Sequence, residues 1–195
     1  QGDLIPFDIA IHGALMKSGN DAAAVLALFA AGNMSDAVAL MNKEAKSLGA
    51  TESNFVNPHG LYNDNHYTTA YDLYLIFNEA IKYSKFVDTL SCMKYTGSFT
   101  RKTAYGDYSI GCSYTNSNGF LTGSYATPDG IKVYGGKAGY TEVARRSYVM
   151  LAESNNGHKY IIITMRAESN SLMYKDLSAL LNKIPVEKKS YADNE

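Results

Sequence analysis

Up to about residue 86, apolar side chains recur at intervals of three and four, which is the spacing of amphipathic α-helices. A first helix is predicted to begin near Pro6, whose ring suits an early helical position, and to end at Ser18-Gly19-Asn20. A second helix, residues 21–31, ends before Gly32. Its many alanines predict a helix that packs on most of its sides.

Two further helices follow in the same half of the chain. Ser35 is predicted to cap a third helix, which ends at Gly49 because glycine most easily adopts the left-handed turn of a helix end. Residues 54–65 have the composition of an ordered loop. Thr68 or Thr69 then begins a fourth helix.

After about residue 86, β-branched and aromatic residues form short runs separated by Gly, Asn, Asp and Ser, which is typical of strands. The predicted strands are residues 94–100, 108–114, 136–141, 147–153 and 159–165. The last two form an antiparallel hairpin, and a final helix covers residues 171–181. We therefore predict an α+β fold in which helices pack on an antiparallel sheet.

Composition narrows the classes of protein to which the chain can belong. Of 195 residues, 46% are apolar, and 18 basic residues balance 19 acidic ones, so nucleic acid is not expected as a partner. The longest apolar run, residues 22–31, is half of the roughly 20 residues that a membrane-spanning helix needs. A chain of this size buries roughly 70% of its unfolded surface, enough for a core without disulfides or metals.

Residue types with metal or redox chemistry are sparse. Cys92 and Cys112 are expected to be free, half-buried thiols, although a disulfide stays open if their strands are neighbours. The four histidines, which follow no recognised metal-binding spacing, are His12, His59, His66 and His158. We therefore expect no metal site.

Two short segments carry residue types that suit catalysis. In Ser18-Gly19-Asn20, a hydroxyl and a carboxamide on a tight turn can point into one cleft; the alternative is a helix end on Gly19 followed by an Asn N-cap. In GGKAGYT, residues 135–141, small residues let a ligand's backbone approach the strand and Lys137 supplies positive charge. The alternative for this second segment is a glycine-rich turn that leads into a strand.

Together with two more segments, in order along the chain, these resemble a known family. The segments are SGNDAA at 18–23, FVNPHGL at 55–61, YTTAYDL at 67–73 and GKAGYT at 136–141. They resemble the low-molecular-mass penicillin-binding proteins, and more narrowly the serine D-alanyl-D-alanine carboxypeptidases of the peptidase S11 type. The resemblance covers about residues 4–181 and implies the penicillin-binding-protein and β-lactamase fold.

The family uses three motifs: S-x-x-K with the nucleophile, S-x-N, and K-T-G on a strand. The resemblance implies that Ser18 bonds to Lys137 and helps to pass a proton to the leaving D-alanine, while Asn20 holds the substrate's peptide carbonyl. It also implies that the backbone N–H of Tyr140 forms half of an oxyanion hole. The implied catalytic residues are Ser18, Asn20 and Lys137, and the implied substrate-binding residues are Ala138, Gly139, Tyr140 and Thr141. No metal or organic cofactor is implied.

The nucleophile motif is the first departure from the family pattern. Only 17 residues precede Ser18, whereas the family places S-x-x-K several tens of residues before S-x-N. One S-x-x-K string occurs at 91–94, at the start of a predicted strand. The family places its nucleophile at the N-terminus of a buried helix, so we interpret this string as coincidence. We expect residues 1–185 to be a partial domain without its N-terminal portion, followed by a polar tail, residues 186–195.

The other departures concern binding of the substrate's terminal carboxylate. Ala138 replaces the threonine of K-T-G, and Ser117 stands where the family often has an arginine. Both changes remove a group that binds a carboxylate. Arg145 or Arg146 compensates if one of them faces the cleft; the alternative is a surface role for both.

The resemblance implies a secreted or envelope-associated enzyme that removes the terminal D-alanine of peptidoglycan stem peptides through an acyl-enzyme and binds β-lactams. An N-terminal segment of the same protein, as part of one chain or as a separate chain, is the expected partner that supplies the nucleophile. The competing hypothesis is a non-catalytic relative that binds cell-wall peptide. Ala138 and Ser117 favour this second hypothesis.

Overall fold

The computed structural model describes residues 2–187, so most of the predicted tail, residues 188–195, lies outside the described residues. Helices come first in the chain, then strands, then a closing helix, which confirms the predicted α+β class. The elements are α1 (Phe7–Lys17), α2 (Asn20–Ala31), α3 (Met34–Ser47), α4 (Ala70–Ala80), α5 (Ser84–Ser91), β1 (Lys94–Thr103), β2 (Gly106–Thr115), β3 (Ile131–Thr141), β4 (Arg145–Ser154), β5 (Lys159–Ala167) and α6 (Asn170–Leu181).

The strands form two antiparallel sheets rather than the single sheet that the sequence predicted. β1 and β2 make a two-stranded sheet, and the second sheet has the order β3-β4-β5. The predicted hairpin of β4 and β5 is confirmed. One residue of β3, Tyr134, is skipped in its pairing with β4, which marks a β-bulge just before the predicted site segment.

The three-stranded sheet carries helices on both faces. Met150 of β4 is fully buried in one apolar cluster with Leu177 of α6. Its neighbour Leu151 is fully buried in another cluster, with Phe77 of α4 and Leu90 of α5. Because successive side chains of a strand point to opposite faces, the central strand contributes to both clusters.

Most helix ends lie where the sequence predicted them. α1 begins after Pro6, α2 ends at Gly32 with φ 77°, and the Thr69 hydroxyl accepts a hydrogen bond from the amide three residues on. The predicted Ser35 cap of α3 is wrong. Asn33 is the N-cap, and its side-chain oxygen accepts a 2.9 Å hydrogen bond from the amide three residues on.

The prediction that α2 packs on most of its sides is also wrong. Only Ala27 is buried along this helix, and Phe29 is 77% exposed, with its ring 5.8 Å from the ring of Phe7. Within residues 2–187, no single helix is long and apolar enough to cross a membrane; α2 and α3, bent by 83°, meet that test only as a pair, by length and composition.

Cysteines and histidines are placed as follows. Cys92 and Cys112 are free, half-buried thiols, as expected. His12 is buried, with Nδ1 2.6 Å from the Asp8 carbonyl oxygen and its ring stacked 3.8 Å from that of Tyr95. Among the described residues, no three His, Cys, Asp or Glu side chains are grouped closely enough to hold a metal ion.

Candidate active site

The turn between α1 and α2 places Ser18 beside the three-stranded sheet. Ser18 is the C-terminal cap of α1 and adopts the left-handed conformation, φ 56° and ψ 36°, which costs a non-glycine residue about 1–2 kcal/mol. The amide of Gly19 donates a 3.1 Å hydrogen bond to the carbonyl of Gly13 and closes the helix end. Such local strain is typical of functional sites.

Asn20 begins α2, and its side chain is not used as a cap. Gly19 is the N-cap residue, and no side-chain hydrogen bond caps this helix. The alternative, in which Asn20 is the N-cap, is therefore wrong. A Cβ on Gly19 would lie 2.9 Å from Oδ1 of Asp21, which explains why glycine suits this tight turn. Asn20 lines two cavities that Ser18 also lines.

Two glycines of β3 let the strand approach its neighbours closely just before Lys137. Gly135 has φ 122°, and a Cβ there would lie 2.3 Å from the carbonyl oxygen of Leu90. A Cβ on Gly136 would lie 2.1 Å from the carbonyl oxygen of Val149. The glycines therefore set the position from which the lysine side chain extends.

Lys137 joins β3 to the α1–α2 turn. Its Nζ donates hydrogen bonds to Oγ of Ser18 and to the carbonyl oxygen of Ala138. Burial lowers the pKa of Lys137 below the ordinary lysine value, because a low-dielectric surrounding disfavours the ammonium form. A lysine whose pKa is lowered gives up its proton more readily than an ordinary lysine, so it can exchange a proton with the hydroxyl that it contacts.

We predict that the ε-carbon signal of Lys137, followed by NMR in lysine-labelled protein, titrates at a pH below that of an ordinary lysine. Ser18→Ala should keep this lowered value, since burial rather than the serine causes it. A titration at or above the ordinary lysine value would contradict this assignment.

Three cavities meet around Ser18. The apolar cavity, about 410 Å³, lies between α1, α2 and α3 and reaches Lys137. The outer cavity, also about 410 Å³, lies between the end of β3 and the loop around His59. The inner cavity, about 280 Å³, lies between α1, Ser117 and the start of α6. The outer and inner cavities together are called the cleft. They share Ser18, Ala138, Arg146, Asn170 and Met173.

Most of the site residues predicted from the sequence come together at these cavities. The residues bordering at least one cavity are Ser18, Asn20, Lys137, Ala138, Gly139 and Tyr140. Thr141 borders none of the three, and its hydroxyl accepts a 3.0 Å hydrogen bond from the amide of Ala144 in the β3–β4 turn. Of the two arginines, Arg146 borders the cleft and Arg145 is exposed.

Three residues of the cleft were not assigned to the site from the sequence. His59 lies in the segment FVNPHGL, residues 55–61, which contributes to the family resemblance but was given no role in the site. Asn170 and Met173 belong to α6, more than 30 residues after Lys137, and the fold brings them to the cleft.

The S-x-x-K string lies on a helix end. Ser91 is the last residue of α5, and its hydroxyl donates a 3.0 Å hydrogen bond to the carbonyl oxygen of Val87. Lys94 begins β1. The family nucleophile lies at a helix N-terminus, so this C-terminal serine does not match it.

Sequence comparison assigns the chain to a family. The profile of peptidase S11, D-alanyl-D-alanine carboxypeptidase, matches residues 5–169. The chain belongs to the D-alanyl-D-alanine carboxypeptidase family. D-alanyl-D-alanine carboxypeptidase DacF of Bacillus subtilis is 34% identical over 151 residues, 76% of this chain and 34% of the relative. DacA of Escherichia coli K12 is 34% identical over 153 residues, 73% of this chain and 33% of the relative. The chain thus spans about a third of these D-alanyl-D-alanine carboxypeptidases.

Solved structures of the D-alanyl-D-alanine carboxypeptidase family confirm the fold. The Streptomyces K15 DD-transpeptidase superposes with a TM-score of 0.79 at 25% identity, covering 93% of this chain and 68% of the other. A D-alanyl-D-alanine carboxypeptidase from Mycobacterium tuberculosis gives a TM-score of 0.72 at 27% identity, covering 91% and 63%. The predicted penicillin-binding-protein fold is therefore correct.

Proposed function

We propose that the chain forms part of the active site of a serine D-alanyl-D-alanine carboxypeptidase that removes the terminal D-alanine of peptidoglycan stem peptides. The observation that carries the proposal is the hydrogen bond from Lys137 to Ser18, with Asn20 at the same cleft. Ser18 and Asn20 stand at the serine and asparagine positions of the family's S-x-N motif, and Lys137 stands at the lysine position of K-T-G. Membership of the family supports the same activity.

Each residue has a role in this reaction. A serine hydroxyl attacks the carbonyl carbon of the D-Ala-D-Ala peptide bond, and the amine of the terminal D-alanine leaves with a proton passed through Ser18 and Lys137. Asn20 holds the preceding peptide carbonyl, and the amide of Tyr140 donates to the oxyanion. Water then hydrolyses the acyl ester and regenerates the hydroxyl.

The attacking serine is proposed to lie on a helix that carries S-x-x-K, supplied by a longer form of this protein or by a second chain. The apolar cavity is the proposed seat for that helix. It borders both Ser18 and Lys137, and it is lined by small apolar side chains that leave room for close helix packing, including Ala14, Ala23, Ala27, Ala30 and Ala37.

A second candidate function is binding of cell-wall peptide without catalysis. This hypothesis rests on two sequence differences from the family: Ala138 lacks the hydroxyl of the K-T-G threonine, and Ser117 lacks the guanidinium of the arginine that the family often has. Both candidates imply action outside the cytoplasm, where peptidoglycan peptides are found, and only the catalytic one implies covalent reaction with β-lactams.

Labelling with a fluorescent penicillin separates these two functions. The chain is joined behind the part of Bacillus subtilis DacF that precedes the matched region, and this fusion is called the joined protein. The catalytic function predicts a covalent penicillin adduct on the serine of the added segment. A folded, cooperatively melting joined protein that gains no adduct and still binds a D-Ala-D-Ala peptide would favour the non-catalytic function.

A further inference from the structure

One wall of the outer cavity is a loop, residues 53–68, which is called the wall loop. His59, Gly60 and Leu61 of this loop line the outer cavity, and His59 also lines the apolar cavity. The opposite wall of the outer cavity is the end of β3. The position of residues 57–61, called the tip, therefore sets the width of the space along β3.

The two ends of the wall loop are fixed at a buried carboxylate of α4. Asp72 is 2% exposed, and its Oδ2 accepts a 2.6 Å hydrogen bond from the Ser53 hydroxyl and a 2.9 Å bond from the amide of the residue before that serine. The Ser53 hydroxyl also lies 2.7 Å from that of Thr68. Two backbone hydrogen bonds between Asn54 and Tyr67 close the loop next to this point. The position of the tip thus depends on what holds the chain between these ends.

The tip is held together by its own hydrogen bonds. The side-chain oxygen of Asn57 accepts a 2.7 Å bond from the amide of Gly60, and its nitrogen donates a 2.9 Å bond to the carbonyl of the next residue. The amide of Val56 donates a 3.3 Å bond to Nδ1 of His66 on the returning arm of the loop. Because these bonds are internal to the wall loop, they fix its shape and not its place over the cavity.

Asn42 of α3 joins the first arm of the wall loop to the helix. Its Oδ1 accepts a 2.8 Å hydrogen bond from the amide of Phe55, and its Nδ2 donates a 2.7 Å bond to the carbonyl of the same residue. Nδ2 also donates a 3.0 Å bond to the carbonyl of Val38, one turn earlier in α3. Within residues 2–187, Asn42 and Asp72 are the side chains from outside the wall loop that hydrogen-bond to it. Since Asp72 acts at the ends, Asn42 holds the arm that leads to the tip.

We propose that Asn42 is a positioning residue that fixes the wall loop at the width the peptide substrate requires, an assignment that rests on the proposed function. Asn42 lines none of the three cavities, so it acts through the loop and not by contact with a ligand. A carboxamide can accept from the amide and donate to the carbonyl of one residue, as a neighbouring strand would. Without these two bonds the tip is mobile, and a peptide must order it on binding at a cost in affinity.

The test compares two asparagine-to-alanine substitutions in the same part of the chain. Asn42→Ala removes the contact between α3 and the wall loop. Asn33→Ala is the matched control, because Asn33 caps the same helix through a 2.9 Å bond from the amide of Asp36 and lines none of the three cavities. Both substitutions are expected to lower the free energy of unfolding, measured with urea, since each removes side-chain hydrogen bonds to the backbone.

Two measurements on the 195-residue chain then separate positioning from stability. An N-acetylated tripeptide ending in D-Ala-D-Ala is titrated, and its affinity is read from NMR shifts of the amides of Gly60 and Tyr140, one on each wall. Asn42→Ala should weaken binding about tenfold and speed hydrogen exchange at the amides of Phe55 and Gly60 by about tenfold or more. Asn33→Ala should leave both quantities within about twofold. Asn42→Gln, which keeps the carboxamide, should retain part of the affinity.

Equal weakening of binding by Asn42→Ala and Asn33→Ala would overturn the assignment, because Asn42 would then act only through stability. A peptide that does not shift the Gly60 amide of the unsubstituted chain would overturn it too. A matching tripeptide ending in L-Ala-L-Ala tests the function separately. Equal binding of the L and D peptides, weakened alike by Asn42→Ala, would leave the positioning role standing and contradict the proposed D-Ala-D-Ala function.

Discussion

Lys137→Ala in the joined protein is expected to slow release of D-alanine from a D-Ala-D-Ala peptide by about 10²–10⁴-fold, the usual contribution of a positioned acid–base group. The lysine is the residue through which β3 contacts the Ser18 hydroxyl. Within residues 2–187, Lys137 is the residue with a lowered pKa that contacts Ser18, so its removal takes away the group proposed to take up and return the proton. The rate of D-alanine release is measured in a single turnover, with the enzyme in excess over the peptide. The ratio of this rate without and with the substitution gives the fold reduction.

Lys132→Ala is the control for this loss of activity. Lys132 lies on the same strand, is exposed, and packs its ammonium 4.3 Å from the ring centre of Tyr134, away from the cleft. It should change the rate less than about twofold. A Lys137→Ala enzyme within tenfold of the unsubstituted joined protein would contradict the role given to this lysine.

Gly136→Ala is expected to destabilise the chain by about 3 kcal/mol or more. The added Cβ would lie 2.1 Å from the carbonyl oxygen of Val149 and 2.6 Å from the ring of Tyr148. Neither the β4 backbone nor the buried tyrosine can move aside without loss of sheet pairing, so the two strands must separate. Urea unfolding followed by circular dichroism measures the change in the free energy of unfolding.

Gly139→Ala is the matched control on the same strand, because no atom lies within 4 Å of the Cβ it would add. Its effect on the free energy of unfolding should stay within about 1 kcal/mol, and it can be stabilising since alanine loses less backbone entropy on folding. Equal effects of the two substitutions would show that close strand approach at Gly136 does not determine stability.

The elements predicted best from the sequence are those whose ends are set by local chemistry. Pro6, Gly32 and Thr69 lie at helix ends because each residue type satisfies or permits the backbone geometry there. The five strands were found from β-branched and aromatic runs. The juxtaposition of Ser18 with Lys137, 119 residues apart, came from the family resemblance rather than from any local pattern.

The features that sequence reasoning missed depend on tertiary packing. α5 was not predicted, because Phe86, Val87 and Thr89 favour strands. Burial of Leu90 stabilises a helix instead, and within it the buried Thr89 hydroxyl donates a hydrogen bond to the carbonyl of residue 85. Arg146 and Arg145 are adjacent and chemically identical in the sequence. Only the pairing of β3 with β4 determines which of them faces the cleft.

The most direct test of the central claim, that Ser18 and Lys137 act as one unit, is a double-mutant cycle on the rate of penicillin acylation of the joined protein. Ser18→Ala and Lys137→Ala are each expected to lower this rate by about 10²-fold or more. Because the two groups relay the same proton, the double variant should be no more than about tenfold slower than the slower single variant. A double variant whose loss equals the product of the two single losses would contradict the claim.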